Sequence, residues 1–292
     1  MTPVQTSSSR QVVPNSSGIE SPKLQAPANA ADCHIHIYDP RFAPPVAKPA
    51  NATVQHYRML QKRIGVTRVV IITPRNYATD NSVTVDAIRQ LGANARGVAV
   101  VRPTVTDAEL KSLDDAGIRG IRFTLGLPQT AVVTIDMIEP LAKRIADLGW
   151  HVQLNMEPEQ IVDSASMLRR LPTPIVFDHM GKLPPPDGLK HPAYQVMRGL
   201  IDQDRAWVKI SGAYLITTVG PPTYADATTV AQAYVKAAPE RLVWGSDWPH
   251  PSAADKPDDA VLFDLLSVWA PEEATRNRIL VTNAEALYGF SI

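Results

Sequence analysis

The chain has 292 residues, 45% of them apolar, with 29 lysines and arginines balanced by 29 aspartates and glutamates. This is the composition of a folded globular protein, and the lack of a basic excess argues against nucleic acid or an acidic membrane as partner. A single cysteine, Cys33, excludes an internal disulfide framework and a CxxC metal knuckle.

Residues 1–30 are rich in Ser, Pro, Asn and Gln and read as an extended polar N-terminal tail with no signal-peptide core. No apolar run approaches the roughly 18 residues that would span a bilayer. The expectation is a cytoplasmic protein. Beyond the tail, β-branched runs at 31–37, 68–72, 95–101, 119–123, 151–155, 174–179, 207–211 and 241–246 are expected strands. Between them lie amphipathic helical patterns, among them 54–65, 80–92, 134–149 and 229–240. Gly65, Gly92 and Gly149 stand where left-handed caps would end three such helices. The spacing lets each helix return the chain parallel to the strand before it. Eight such units over residues 31–292 predict a single α/β domain, a (β/α)8 TIM barrel. A doubly wound sheet would instead show a Gly-rich loop after the first strand, where this chain has His34-Ile35-His36. The segment from 271 onward is expected as a closing helix pair on the barrel's outside.

A barrel carries its active site at the carboxyl ends of its strands. Strand alternation puts His34 and His36 on one face there, with Cys33 and Ile35 on the other. His179 ends the sixth strand, with Phe177 expected on its face, and Asp247 follows the eighth. Closure of the barrel brings the last strand beside the first, and so Asp247 beside the histidine pair. Each has a structural alternative: a core histidine satisfied by a neighbour, or a carboxylate capping a turn. His56, His151 and His191 fall on a helix, a strand entrance and a loop, away from the mouth.

These four residues stand in the runs DCHIHIYDP, FDHMGK and VWGSDWPHP, and together with TDN (79–81), GIRF (120–123) and GWHVQL (149–154) they resemble the lactonase branch of the amidohydrolase superfamily. The similarity spans nearly all of residues 31–290. It implies that Asp247 moves the protons of ring opening. His34, His36 and His179 would polarise the lactone carbonyl directly, or would hold, with Asp247, one divalent metal, for which zinc suits the ligand types. The expected cofactor is therefore none or a single metal ion. A two-metal site is not expected, because Arg122 and Asn155 stand where binuclear relatives carry a bridging residue and a further histidine.

The resemblance also makes Arg122 the ligand of a substrate carboxylate, while Arg75 occupies a position where relatives carry a small polar residue. Tyr38, Asn76, Asn155, Tyr214 and His250 are further mouth-facing candidates, each with a purely structural alternative. The implied activity is hydrolysis of a small anionic lactone bearing carboxylate or sulfonate, of the 4-sulfomuconolactone type or a related muconolactone. Arginines expected for a pyrone dicarboxylate are missing after strands four and seven. The alternatives are aldarolactone isomerisation, a zinc-dependent decarboxylase or hydratase, and an inactive barrel that binds an acidic metabolite. Oligomeric assembly is left open.

Overall fold

The structure, a computed structural model, describes residues 12–43, 51–126 and 131–291. Eight strands form one parallel sheet in sequence order: β1 (Ala31–Ile35), β2 (Arg68–Ile72), β3 (Ala95–Ala99), β4 (Ile118–Thr124), β5 (His151–Asn155), β6 (Ile175–Phe177), β7 (Ala206–Ile210) and β8 (Leu242–Trp244). The helices α1 (Val54–Ile64), α2 (Ser82–Leu91), α3 (Asp107–Asp115), α4 (Ile138–Ile145), α5 (Pro158–Asp163), α6 (Ala165–Leu168) and α7 (Pro192–Ile201) come before β7. After it follow α8 (Ala213–Ile216) and α9 (Ala225–Ala237), and after β8 come α10 (Asp259–Trp269), α11 (Glu273–Asn277) and α12 (Asn283–Tyr288). This is the (β/α)8 barrel expected from the alternating pattern.

Strand alternation separates two cores. Outward residues such as Val69, Ile71, Val152 and Val208 pack against helix residues such as Leu60, Leu141 and Phe263. Inward residues Val70, Ile72, Val98, Val176 and Val243 form a separate cluster inside the barrel. Gly65 and Gly149 do adopt the left-handed cap conformation, whereas Gly92 combines φ 71° with ψ −146° and is not such a cap.

The closing segment differs from expectation. The α11 helix continues through a π turn at Arg278–Thr282 into α12, so it is one irregular helix rather than a pair on the outside. Its end plugs the barrel floor: Tyr288 and Phe290 join the inner cluster, and Tyr288 meets His151 edge to face at 5.4 Å. The inner strand residues there are small, Ala31 and Cys33 among them, and leave room for a ring.

β1 contains a second departure. Asp32 pairs with Val69 but Ile35 pairs with Ile71, so one extra residue is inserted in β1. Such a bulge turns two successive side chains to the same face. Cys33 therefore lies in the inner cluster, on the same side as His34, and not between strand and helices. The barrel closes beyond β8, where Asp247 N donates to His34 O at 2.9 Å and His36 N to Trp248 O at 2.8 Å. Gly245 allows that approach, because a Cβ there would lie 2.6 Å from His34 Cβ.

Residues 12–30 contain no helix or strand, yet they are held against the barrel. Val13 is buried, Trp248 Nε1 donates to Pro14 O at 2.8 Å, and Asp264 of α10 accepts from Lys23 N and Leu24 N. No described helix is long and apolar enough to cross a membrane.

Candidate active site

The mouth of the barrel opens into a cavity of about 880 Å³ lined by His36, Tyr38, Arg75, Asn76, Arg122, Asn155, His179 and Asp247. The bulge in β1 aims His34 inward below His36. His179 comes to the mouth by a different route than alternation. Phe177 points outward into the helix-facing core, Asp178 turns inward, and His179 then takes a left-handed φ of 49° that swings its ring over the barrel. Asp247, also left-handed at φ 65°, projects from the loop after β8. Ser246 is fixed beneath it by Asp32, whose carboxylate accepts from Ser246 N at 2.9 Å and Ser246 Oγ at 2.6 Å.

The four residues converge. Asp247 Oδ1 lies 3.5 Å from His34 Nε2 and 3.7 Å from His36 Nε2, and Asp247 Oδ2 lies 4.0 Å from His179 Nε2. Tyr214 OH donates to Asp247 Oδ2 at 2.6 Å. Burial alone would raise the Asp247 carboxyl, but His179, His34, His36 and Tyr214 hold it well below the usual carboxylate range. It is ionised at neutral pH. The imidazoles move the other way, since burial disfavours their charged forms: His36 falls to about 4, and His34 and His179 lie below their ordinary value. The site thus presents one carboxylate among neutral imidazoles. His36 Nδ1 stands 2.9 Å from Ile72 O, and His179 Nδ1 is 3.0 Å from Ser211 Oγ.

Under this rim lies a charged layer that residue patterns did not single out. Asp178, fully buried, accepts from Arg122 Nε at 2.9 Å and from Gln153 Nε2 at 3.2 Å. Lys209, equally buried, donates to Cys33 O at 2.8 Å and Gln153 Oε1 at 2.9 Å, and lies 3.3 Å from His34 Nδ1. Burial lowers its ammonium to about 8. Asp178 sits beside the motif histidine, and Lys209 is a lysine inside an apolar strand. A charged residue in such a run is the available signal, because it must find a partner inside.

The remaining candidates divide. Arg122 is buried in its pair with Asp178 and borders the cavity, so it is no surface salt bridge. Tyr38 OH donates to Asn76 Oδ1 at 3.3 Å, while Arg75 and Asn155 border the same space. His250 does not line the cavity. It is fully buried behind Tyr214, edge to face at 5.1 Å, with Nε2 3.1 Å from Asp259 Oδ2. Its strand-following position suggested the mouth, but its left-handed φ of 56° turns it back toward α10. His151 belongs to the floor, and His191 caps α7. Lys182, ion-paired with Glu157 at 2.8 Å, adds a cation at the rim.

His34, His179 and Asp247 each offer a ligand atom within 4.8 Å of the others, and two imidazoles with a carboxylate suit a divalent ion. His36 falls outside that tight group. The surroundings of His34 do not fit ligation. A ligating imidazole donates its second N–H to an acceptor, whereas the nitrogen of His34 that faces away from the mouth is flanked at 3.3 Å by both the Lys209 ammonium and Asp178 Oδ1, an oxygen that makes no hydrogen bond among the described residues.

Eight strands with their acidic and imidazole groups gathered at the carboxyl ends define an amidohydrolase-type barrel. Residues 31–290 match the Amidohydrolase family model, and the chain belongs to that family. It is 32% identical over 273 residues to a 4-sulfomuconolactone hydrolase of Rhizobium radiobacter, covering 90% of this chain and 91% of the relative. A D-galactarolactone isomerase of Agrobacterium fabrum is 31% identical, over 93% of this chain and 94% of its own. A solved structure described as a probable 2-pyrone-4,6-dicarboxylic acid hydrolase of Acinetobacter baumannii, with citric acid bound, superposes with TM-score 0.79 at 28% identity, over 90% of this chain and all of the other.

Proposed function

We propose that this protein hydrolyses a small lactone carrying a carboxylate or sulfonate, with a sulfomuconolactone or muconolactone as the favoured substrate class. The observation that carries this reading is one ionised carboxylate, Asp247, set among three neutral imidazoles at the mouth of a cavity bordered by Arg75 and Arg122. Hydrolysis needs an activated water, a stabilised oxyanion and a proton for the departing ring oxygen. Asp247 Oδ1 takes a proton from water as the oxygen attacks the carbonyl carbon. Imidazole N–H groups stabilise the tetrahedral oxyanion. Collapse breaks the ring C–O bond, and Asp247 returns the proton to the leaving oxygen, giving a hydroxy acid. Arg122, held by Asp178 through Nε, presents the rest of its guanidinium to the substrate's anionic group. Carbonyl polarisation is assigned to imidazole rather than to zinc because of the Lys209 contact on His34.

Migration of the ring ester, the reaction named for the isomerase relative, is the second reading. A panel of muconolactones, sulfomuconolactones and aldarolactones separates the two by product. Stoichiometric acid release with ring opening is expected. A new lactone without acid would establish isomerisation, and thermal stabilisation without turnover would reduce the barrel to a binder.

A further inference from the structure

We propose that Lys209 is a positioning residue that fixes the proton of His34 on Nε2, making this histidine a hydrogen-bond donor to the lactone carbonyl. The proposal rests on the lactone-opening reading and assigns its donor. An ammonium has three N–H bonds and no lone pair. Around Lys209 Nζ stand three acceptors: Cys33 O at 2.8 Å, Gln153 Oε1 at 2.9 Å and His34 Nδ1 at 3.3 Å. The rival partner of Nδ1 is Asp178 Oδ1, also 3.3 Å away, but among the described residues that oxygen makes no hydrogen bond and its charge is met by Lys209 Nζ at 3.8 Å. A neutral imidazole whose Nδ1 accepts carries its one proton on Nε2. His34 Nε2 is fully buried, without a hydrogen-bond partner among the described residues, and lies 3.5 Å from Oδ1 of the cavity-lining Asp247.

His36 has the opposite arrangement. Its Nδ1 faces Ile72 O, which can only accept, so its proton is on Nδ1 and its Nε2 offers a lone pair. The two histidines of one motif therefore divide the work. His34 donates to the oxyanion, while His36 Nε2 and Asp247 Oδ1, 3.7 Å apart, are two acceptors suited to orienting the attacking water. Gln153 completes the arrangement, since its amide accepts from Lys209 and donates to Asp178.

Side-chain nitrogen NMR of the 15N-histidine-labelled wild-type protein, as purified and after chelation, tests this directly. The His34 signal, identified by its loss in His34→Gln, is expected to show a protonated Nε2 and a bare Nδ1, with the reverse for His36. A protonated Nδ1 on His34, or a stoichiometric metal ion on its Nε2, would overturn the proposal. Lys209→Met is expected to mix the His34 tautomers and to lower kcat by roughly tenfold or more with KM within about twofold. An unchanged tautomer and kcat in that variant would equally overturn it. If Lys209→Met does not fold, the wild-type spectrum decides alone. The spectrum needs no substrate, so a wild type inert toward every lactone would sink the functional reading and leave the tautomer assignment to stand or fall separately.

Discussion

Asp247 and Arg122 carry the sharpest expectations for single residues. Replacing Asp247 by Asn keeps the hydrogen-bond acceptor for Tyr214 but removes the basicity, so kcat should fall by roughly 10²–10⁴-fold while KM changes little. Initial rates on the turned-over lactone check this, and full activity in Asp247→Asn would refute the mechanism. Arg122 does two things at once, holding Asp178 through Nε and bordering the cavity with the rest of the fork. Lysine carries its N–H bonds on one nitrogen and lacks the planar fork that spreads donors between Asp178 and the cavity. Arg122→Lys should raise KM by about tenfold or more, the loss of one charged hydrogen bond, with a smaller effect on kcat. His250 is the instructive residue at this scale. It follows Asp247 closely in sequence, yet one left-handed residue sends it to Asp259 and away from the cavity.

At the level of elements, the bulge in β1 and the plug at the floor shape the site from below. The bulge gives Cys33 and His34 a common face, and the Cys33 carbonyl becomes an acceptor for Lys209. Strand periodicity foretold that the histidines face inward but not that an inserted residue would bring Cys33 with them. Tyr288 fills the opposite end, 5.9 Å from Lys209 Nζ and against His151. Tyr288→Ala should destabilise the fold by about 3–5 kcal/mol, as removal of a buried ring does. Denaturant unfolding reads that loss; a midpoint within error of wild type would mean that the C-terminal helix does not close the barrel.

Across the whole molecule, the buried charges set the response to acid. His36 and His151 are lowered by burial to about 4 and about 3, and His34 and His179 are lowered too. An unfolded chain binds protons on these groups near pH 6.5, while the native barrel excludes them. Stability is therefore fully present above pH 6.5 and is lost as pH falls toward 4, by up to about 1.4 kcal/mol per pH unit for each histidine. Asp32, raised to about 6 by burial, acts in the opposite sense between its unfolded value and 6 and offsets one of them. Calorimetry from pH 7 to 4 should show Tm falling steeply below 6.5. A flat profile would mean that these histidines are charged in the native state. The opening segment belongs to this scale as well, since residues 12–30 tie α1, α10 and Trp248 together.

The amino-acid pattern by itself determined the barrel, because inward and outward residues alternate in short apolar runs and the intervening helices are long enough only for parallel return. It also marked His34, His36, His179 and Asp247, since imidazoles and a carboxylate at strand ends have few structural uses. Tertiary structure decided what those residues can do. Asp178, Gln153 and Lys209 lie on three different strands or their ends, and only closure of the sheet brings them under one histidine. Proton position on an imidazole depends on what meets its far nitrogen, and here that neighbour comes from a residue 175 positions away in the chain. No local pattern carries such information, because the contact exists only once the barrel has closed.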